Sequence, residues 1–222
     1  MGIIGLWGVL SDVVKETTLH QLAVDEGFVN NVGGVRMLRV GVDASGWIFH
    51  ASYLHGQTKN PELVILFGWC TRLLQLPVLP LFVFDGKGHP KVKRGKAVHG
   101  NPHWITRDMK EMLGGFGFAW VEAPGEAEAE LAWMNSSSIV DAVLTEDSDA
   151  VIFALVMANC ASLCLSSPSA DKGEGKVIMY KVADICTHPM IRLEPADLLL
   201  VALLAGGDYL VSPDLDRIFP AA

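Results

Sequence analysis

Val78-Leu-Pro-Leu-Phe-Val-Phe84 is a short apolar run that ends in Asp85-Gly86. Valine and phenylalanine favour extended backbone, and a run this short, bounded by Pro77 and by an acid with glycine, has the pattern of a buried strand. Two other runs share the layout. Arg36-Met-Leu-Arg-Val-Gly-Val42 leads into Asp43, and Ile139-Val-Asp-Ala-Val-Leu144 leads into Thr145-Glu146-Asp147. Helical stretches lie between them. Residues 61–75 are apolar around the whole helical circumference, which predicts a buried helix. Residues 102–113 follow Asn101 as N-cap, start with Pro102 and stop at Gly114-Gly115, while 124–135 again begins at a proline. A further apolar stretch, 197–205, ends in Gly206-Gly207. Strands alternating with helices predict an α/β fold with a mainly parallel sheet flanked by helices. No internal repeat is present, and 168–176 reads as a surface loop.

The chain has 222 residues, of which 50% are hydrophobic and 19% charged. That suits one domain with an ample core and excludes a disordered chain. A net charge of −8 argues against a nucleic-acid partner when taken as an average. The average conceals a basic window: residues 87–110 hold seven Lys or Arg against the single acid Asp108. One face is therefore expected to be basic while another gathers carboxylates. The four cysteines show no C-x-x-C pair, so reduced thiols in an intracellular protein are expected. The start of the chain reads as neither signal peptide nor myristoylation site, and 150–170 is too polar in its second half to span a bilayer.

In a parallel α/β sheet, ligands bind at the carboxyl ends of the strands. Asp43, Asp85 and the Asp147-x-Asp149 pair all follow strands. A lone Asp there is routinely a helix cap or turn residue. Three strands delivering carboxylates to one edge are harder to dismiss, because their repulsion must be relieved by protons or by hard divalent cations. Glu122-Ala-Pro-Gly-Glu126-Ala-Glu128-Ala-Glu130 adds acid at a helix start. Glutamates in a first turn also simply complement the helix dipole. Residues two apart do not share a helix face, so spacing leaves the part of Glu126 and Glu128 open.

Together these motifs resemble the flap endonuclease/XPG family of structure-selective nucleases. Met1-Gly-Ile-Ile-Gly-Leu-Trp7, Val42-Asp43-Ala-Ser-Gly-Trp-Ile-Phe49 and Phe82-Val-Phe-Asp85-Gly86 are similar to its N-region motifs. Glu122 to Glu130, Leu144-Thr-Glu-Asp-Ser-Asp149 and Leu204-Ala-Gly-Gly-Asp208-Tyr209 are similar to its internal-region motifs, in the family's order. The resemblance implies a PIN-like (5′-nuclease) domain and seven acidic positions around two Mg²⁺ ions, with Mn²⁺ as the alternative. Asp43, Asp85, Glu126 and Glu128 would serve one ion, and Asp147, Asp149 and Asp208 the other. Lys93 is similar to a family lysine that contacts the scissile phosphate. Gly2, Lys91, Arg94 and Lys96 are expected to meet DNA beside it, while for each of Lys87, Arg107 and Lys110 a DNA contact and a solvated loop stand equally open.

Asp85 and Glu126 lie 41 positions apart, which excludes the very long spacer of XPG-type enzymes. Trp7, Trp47-Ile48-Phe49, Lys93-Arg-Gly-Lys96 and Gly100-Asn-Pro-His-Trp104 are most similar to GEN-type Holliday junction resolvases, particularly fungal ones. The implied organisation is a nuclease core at 1–209, with an N-region at about 1–100 and an internal region at about 110–209. Residues 210–222 then form a divergent tail in place of the family's helix-two-turn-helix, a C-terminally truncated arrangement. The implied function is metal-dependent cleavage of flaps or branched junctions in the nucleus, with no membrane partner and with oligomeric state open, a dimer on four-way junctions included. The alternative is a truncated paralogue that binds DNA or a partner without turnover. A general PIN-like ribonuclease would share the acid-edged sheet but would need neither the Met1-to-Trp7 motif nor the basic window.

Overall fold

The structure, a computed structural model, describes residues 3, 5–31, 36–53, 59–88, 92–93, 96–97, 103–157, 163–166, 176–189, 191, 193, 196–197, 200–201 and 203. At 93, 96–97, 154–157 and 163–166 it describes the backbone alone. The chain opens with α1 (Leu6–Val9), β1 (Lys15–Thr18) and α2 (Leu19–Val24), then β2 (Leu38–Asp43), α3 (Ala44–Tyr53), α4 (Pro61–Leu74) and β3 (Val78–Phe84). A small hairpin, β4 (Val92–Lys93) and β5 (Lys96–Ala97), precedes α5 (Ile105–Phe116), β6 (Ala119–Glu122), α6 (Ala127–Ser136) and β7 (Ala142–Leu144). The described elements end with α7 (Asp149–Met157), β8 (Leu163–Ser166), β9 (Lys176–Lys181) and α8 (Val182–Thr187). Positions 196–197, 200–201 and 203 are helical, in the stretch where a helix is expected.

Among the described residues, seven strands form one sheet in the order β1-β9-β8-β7-β2-β3-β6. The run β8-β7-β2-β3-β6 is parallel throughout, and β9 and β1 extend it by antiparallel pairing. The sheet is mainly parallel and the fold is α/β, as the alternation of elements predicts. Side-chain period two divides the core into layers. Val40, Val42, Phe82 and Phe84 point to the side covered by α2 to α5, whereas Val83 and Val143 face Ala127, Leu131 and Met134 of α6. A third cluster joins Leu6 and Leu10 to Val151, Tyr180 and Ile185 around α7 and α8. Full burial of each such side chain is worth about 1.5–3 kcal/mol relative to exposure.

At the amino end of β2, a fork fixes the register with β7. Arg39 Nη2 and Nε reach Asp141 at 2.5 and 3.0 Å, its Nη1 reaches the Ser138 carbonyl at 2.8 Å, and the Arg39 backbone N–H donates to Asp141 at 2.8 Å. Val42 then pairs with Leu144. Because register propagates along the ladder, this ion pair also determines what stands beside Asp43 at the other end.

Several boundaries differ from the expectations. β7 begins at Ala142, not Ile139, because the N–H groups of Ile139 and Val140 bond the Met134 carbonyl at the end of α6. α6 begins at Ala127, since the Pro124 and Gly125 carbonyls accept bonds from the 86–88 loop. α5 starts at Ile105 and runs through Gly114-Gly115 to Phe116, where Gly117 at φ 75° closes it in the left-handed conformation. Asn101 and Pro102 lie outside the described residues. α4 is apolar all round but buries only one side: Leu66, Cys70 and Leu73 are in the core, whereas Val64, Phe67 and Leu74 are exposed. The 168–175 loop also lies outside the described residues.

Candidate active site

The carboxyl ends of β7, β2 and β3 are adjacent in the sheet, so the residues that follow them are neighbours. Asp43 is the last residue of β2, Asp85 follows β3, and Asp147 lies in the turn between β7 and α7. Glu126 immediately precedes α6, Glu128 is its second residue, and Asp149 is the first residue of α7. The bland reading of each Asp is correct as far as it goes. Asp43 Oδ1 accepts the Gly46 N–H at 2.9 Å at the start of α3, and Asp147 Oδ1 accepts the Asp149 N–H at 3.0 Å at the start of α7. Asp85 Oδ1 accepts the Ala127 N–H at 2.9 Å, capping α6 from another strand.

The way Asp85 meets α6 depends on Gly86. The β3–β6 ladder continues beyond both strands through Ala123 N–H to the Phe84 carbonyl (2.8 Å), Gly86 N–H to Gly125 (2.7 Å) and Gly88 N–H to Pro124 (3.0 Å). A Cβ at position 86 would lie 1.6 Å from the Ala123 carbonyl oxygen. Only glycine allows the two backbones to approach this closely, and their approach brings Asp85 to the helix that carries Glu126 and Glu128.

Asp43 is 3% exposed and Asp147 2%. Burial pushes the Asp43 carboxyl up to about 6 against the opposing Gly46 hydrogen bond, and the charges of Asp85 and Asp147 add to the rise. Burial and then the charge of Asp43 push Glu128 up to about 9, with Asp147 and Asp85 contributing. Four carboxylates from four segments therefore share one field. Glu128 Oε2 is shut away from solvent without a hydrogen-bond partner. Thr145, buried at 5%, donates its hydroxyl to Asp43 Oδ2 at 3.2 Å and accepts the Asp147 N–H at 3.1 Å. Sequence reasoning passed over this threonine; the available signal was its place after β7, one step beyond the Val42–Leu144 pair. It also passed over Ser148, whose buried hydroxyl accepts the Ile3 N–H at 2.7 Å and docks the amino-terminal segment on the acid-bearing turn.

An all-oxygen donor set of this kind suits a hard divalent ion. The orphaned Glu128 oxygen and the mutual repulsion supply the demand for positive charge. Among the described residues, no three such side chains stand in a geometry that could hold an ion as they are placed. Asp208 lies outside the described residues.

In the β4–β5 hairpin, Lys93 is paired in backbone register with Lys96. Gly2, Lys91 and Arg94 lie outside the described residues. Lys110 is committed to the fold: its Nζ is 2.5 Å from Glu122 Oε1 and 4.7 and 4.6 Å from the rings of Phe84 and Trp120. Through that bond Lys110 holds the Glu122 carboxyl below its usual range. Arg107 reaches its neighbour Asp108 at 3.3 Å, and Lys87 is exposed.

Two family models match the chain, the XPG N-terminal domain over residues 1–101 and the XPG I-region over 117–208. The chain belongs to the XPG family. Among relatives of this XPG-family chain, the mouse Flap endonuclease GEN homolog 1 is 28% identical over 231 residues, which is 95% of this chain and 23% of the mouse protein. The crystal structure of the Holliday junction-resolving enzyme GEN1 in complex with product DNA and Mg²⁺ superposes at a TM-score of 0.74 and 34% identity, covering 96% of this chain and 47% of that one. Human GEN1 in complex with Holliday junction DNA gives a TM-score of 0.74 at 26% identity, covering 96% of this chain and 52% of that one. The chain thus spans about half, or less, of these relatives. No described helix is long and apolar enough to cross a membrane.

Proposed function

We propose that this chain is the catalytic core of a divalent-metal-dependent, structure-selective DNA endonuclease that hydrolyses phosphodiesters at flaps or branched junctions, four-way junctions included. The observation that carries the reading is the shared field of Asp43, Asp85, Glu128 and Asp147, delivered to one sheet edge by four separate segments. Repelling carboxylates that the fold holds together are costly for stability alone, and they suit a site that receives cations. The GEN1 structures with DNA and Mg²⁺ support the same assignment.

Asp43, Asp85, Glu126 and Glu128 would hold one Mg²⁺ or Mn²⁺, and Asp147, Asp149 and Asp208 a second. Such ions supply Lewis-acid charge at the phosphate under attack. The protein's own part is to orient that phosphate. Lys93 and Lys96 are paired in the backbone register of the hairpin, and two cationic residue types at paired positions suit an anion. A DNA phosphate is the natural anion, with Lys93 closest to the reaction and Lys91, Arg94, Lys96 and Gly2 holding the strand around it. The core would occupy residues 1–209, and its likeness to eukaryotic GEN nucleases supports action in the nucleus.

The deciding experiment incubates the purified chain with labelled flap, four-way-junction and plain duplex DNA in Mg²⁺ and in EDTA. Cleavage near the branch in Mg²⁺ and none in EDTA is expected. Uniform nicking of plain duplex, or cleavage that survives EDTA, contradicts the reading.

A further inference from the structure

Asp43 and Asp147 belong to the two different ligand sets proposed above, yet one side chain touches both. Thr145 Oγ1 lies 3.2 Å from Asp43 Oδ2 and 3.1 Å from the Asp147 backbone nitrogen. A backbone N–H can only donate, so the hydroxyl accepts from Asp147, and its own hydrogen is left for the Asp43 carboxylate. All three residues are buried: Asp43 at 3% exposure, Thr145 at 5% and Asp147 at 2%. Water therefore cannot readily replace the hydroxyl. The other Asp43 oxygen is held by the Gly46 N–H. The threonine bond thus completes the immobilisation of a carboxylate that would otherwise turn away from its neighbours' charge.

We propose that Thr145 is a positioning residue of the acid site. Its hydroxyl ties the Asp43 carboxylate to the Asp147 backbone and so sets the separation of the two proposed metal-binding sets. The inference rests on the metal-dependent reading and deepens it. Groups that orient metal ligands typically change metal affinity when removed, whereas a residue that only fills space does not do so selectively. The β2–β7 register fixed at Arg39–Asp141 delivers the threonine to this point, so its place is a property of the sheet rather than of a mobile loop.

The test compares Thr145→Val, which keeps the shape and loses the hydroxyl, with Thr145→Ser, which keeps the hydroxyl. Thr145→Ala against Thr145→Ser gives the same contrast one methyl smaller, should the valine fail to fold. Mn²⁺ affinity of the DNA-free protein is read by electron paramagnetic resonance. The Mg²⁺ concentration for half-maximal cleavage and the rate at saturating Mg²⁺ are measured beside it. Valine and alanine should weaken Mn²⁺ binding about 10–100-fold and raise the Mg²⁺ requirement in parallel, with the rate largely recovered at saturation, while serine stays near wild type. Wild-type affinity in the valine and alanine variants, or a loss in serine equal to that in alanine, overturns the role of the hydroxyl while the metal site stands. A wild-type chain that binds no Mn²⁺ overturns the metal reading and this inference with it.

Discussion

Asp85 Oδ1 and the Ala127 backbone N–H are 2.9 Å apart, joining the end of β3 to the start of α6 at the edge where the acids meet. The carboxylate has two functions here, a helix cap and a proposed metal ligand, and the two can be separated by mutation. Asp85→Asn keeps an oxygen for the Ala127 N–H but removes the charge. It should abolish cleavage of branched DNA while leaving the Tm close to wild type. Asp85→Ala should also abolish cleavage and lose the cap, worth about 1 kcal/mol, partly offset by relief of repulsion. Cleavage by either variant at the wild-type rate rejects Asp85 as a ligand.

The raised acids predict an inverted pH dependence. Asp43 rises to about 6 and Glu128 to about 9, so over pH 5–9 the folded protein binds protons that the unfolded chain has released. Stability then falls as pH rises through that window. Thermal melts in EDTA should show a lower Tm at the alkaline end, Glu128→Gln should flatten the slope, and Mg²⁺ should raise the Tm more at alkaline than at acid pH. An EDTA Tm that climbs steadily from pH 5 to 9 contradicts the coupled cluster.

Gly86→Ala forces a Cβ to within 1.6 Å of the Ala123 carbonyl oxygen. Backbone must move, and an overpacking cost of about 3 kcal/mol is expected. Both the Tm and the cleavage rate should fall, since the displaced loop carries Asp85. A variant as stable and as active as wild type shows that the two backbones do not cross this closely in solution.

The lysines of the basic window should divide by role. Lys93→Ala should slow cleavage more than it weakens DNA binding, because a cation on the reacting phosphate acts mainly in the transition state. Lys87→Ala should weaken binding modestly and make the salt dependence shallower. Lys110→Ala should lower the Tm, through loss of its contacts with Phe84, Trp120 and Glu122, and leave the salt dependence unchanged. Identical behaviour of all three variants would describe an undifferentiated basic surface.

How much of this was legible in the sequence depends on whether burial left a pattern. β3 is apolar because Val78, Pro80, Phe82 and Phe84 are buried on one face and Val83 on the other, although Leu79 is exposed, and its limits, Val78 to Phe84, are those the sequence predicts. β6 (Ala-Trp-Val-Glu) and β1 (Lys-Glu-Thr-Thr) are edge strands with largely exposed side chains, so no apolar periodicity announces them. Gly114-Gly115 reads as a helix stop, yet a Cβ at either position meets nothing within 4 Å. The glycines sit on the open side of α5, while Phe116 holds the last turn through Phe67 and Phe118. Asp43, Asp85 and Asp147 were legible as strand-terminal acids, but their meeting depends on β7, β2 and β3 being neighbours, which is tertiary information. Spacing could not speak for Glu126 and Glu128, because what sets the start of α6 against Asp85 is the close approach of two backbones at Gly86. Thr145 carries no charge to flag it and is found only through strand register.

Whether the acids at this sheet edge hold divalent ions is read from anomalous X-ray scattering by crystals of the protein soaked in Mn²⁺. Anomalous peaks are expected between Asp43, Asp85, Glu126, Glu128, Asp147 and Asp149, with carboxylate oxygens about 2.0–2.2 Å from the metal. A well-diffracting crystal with no peak among these six residues, or with manganese bound only elsewhere on the surface, would contradict metal binding there.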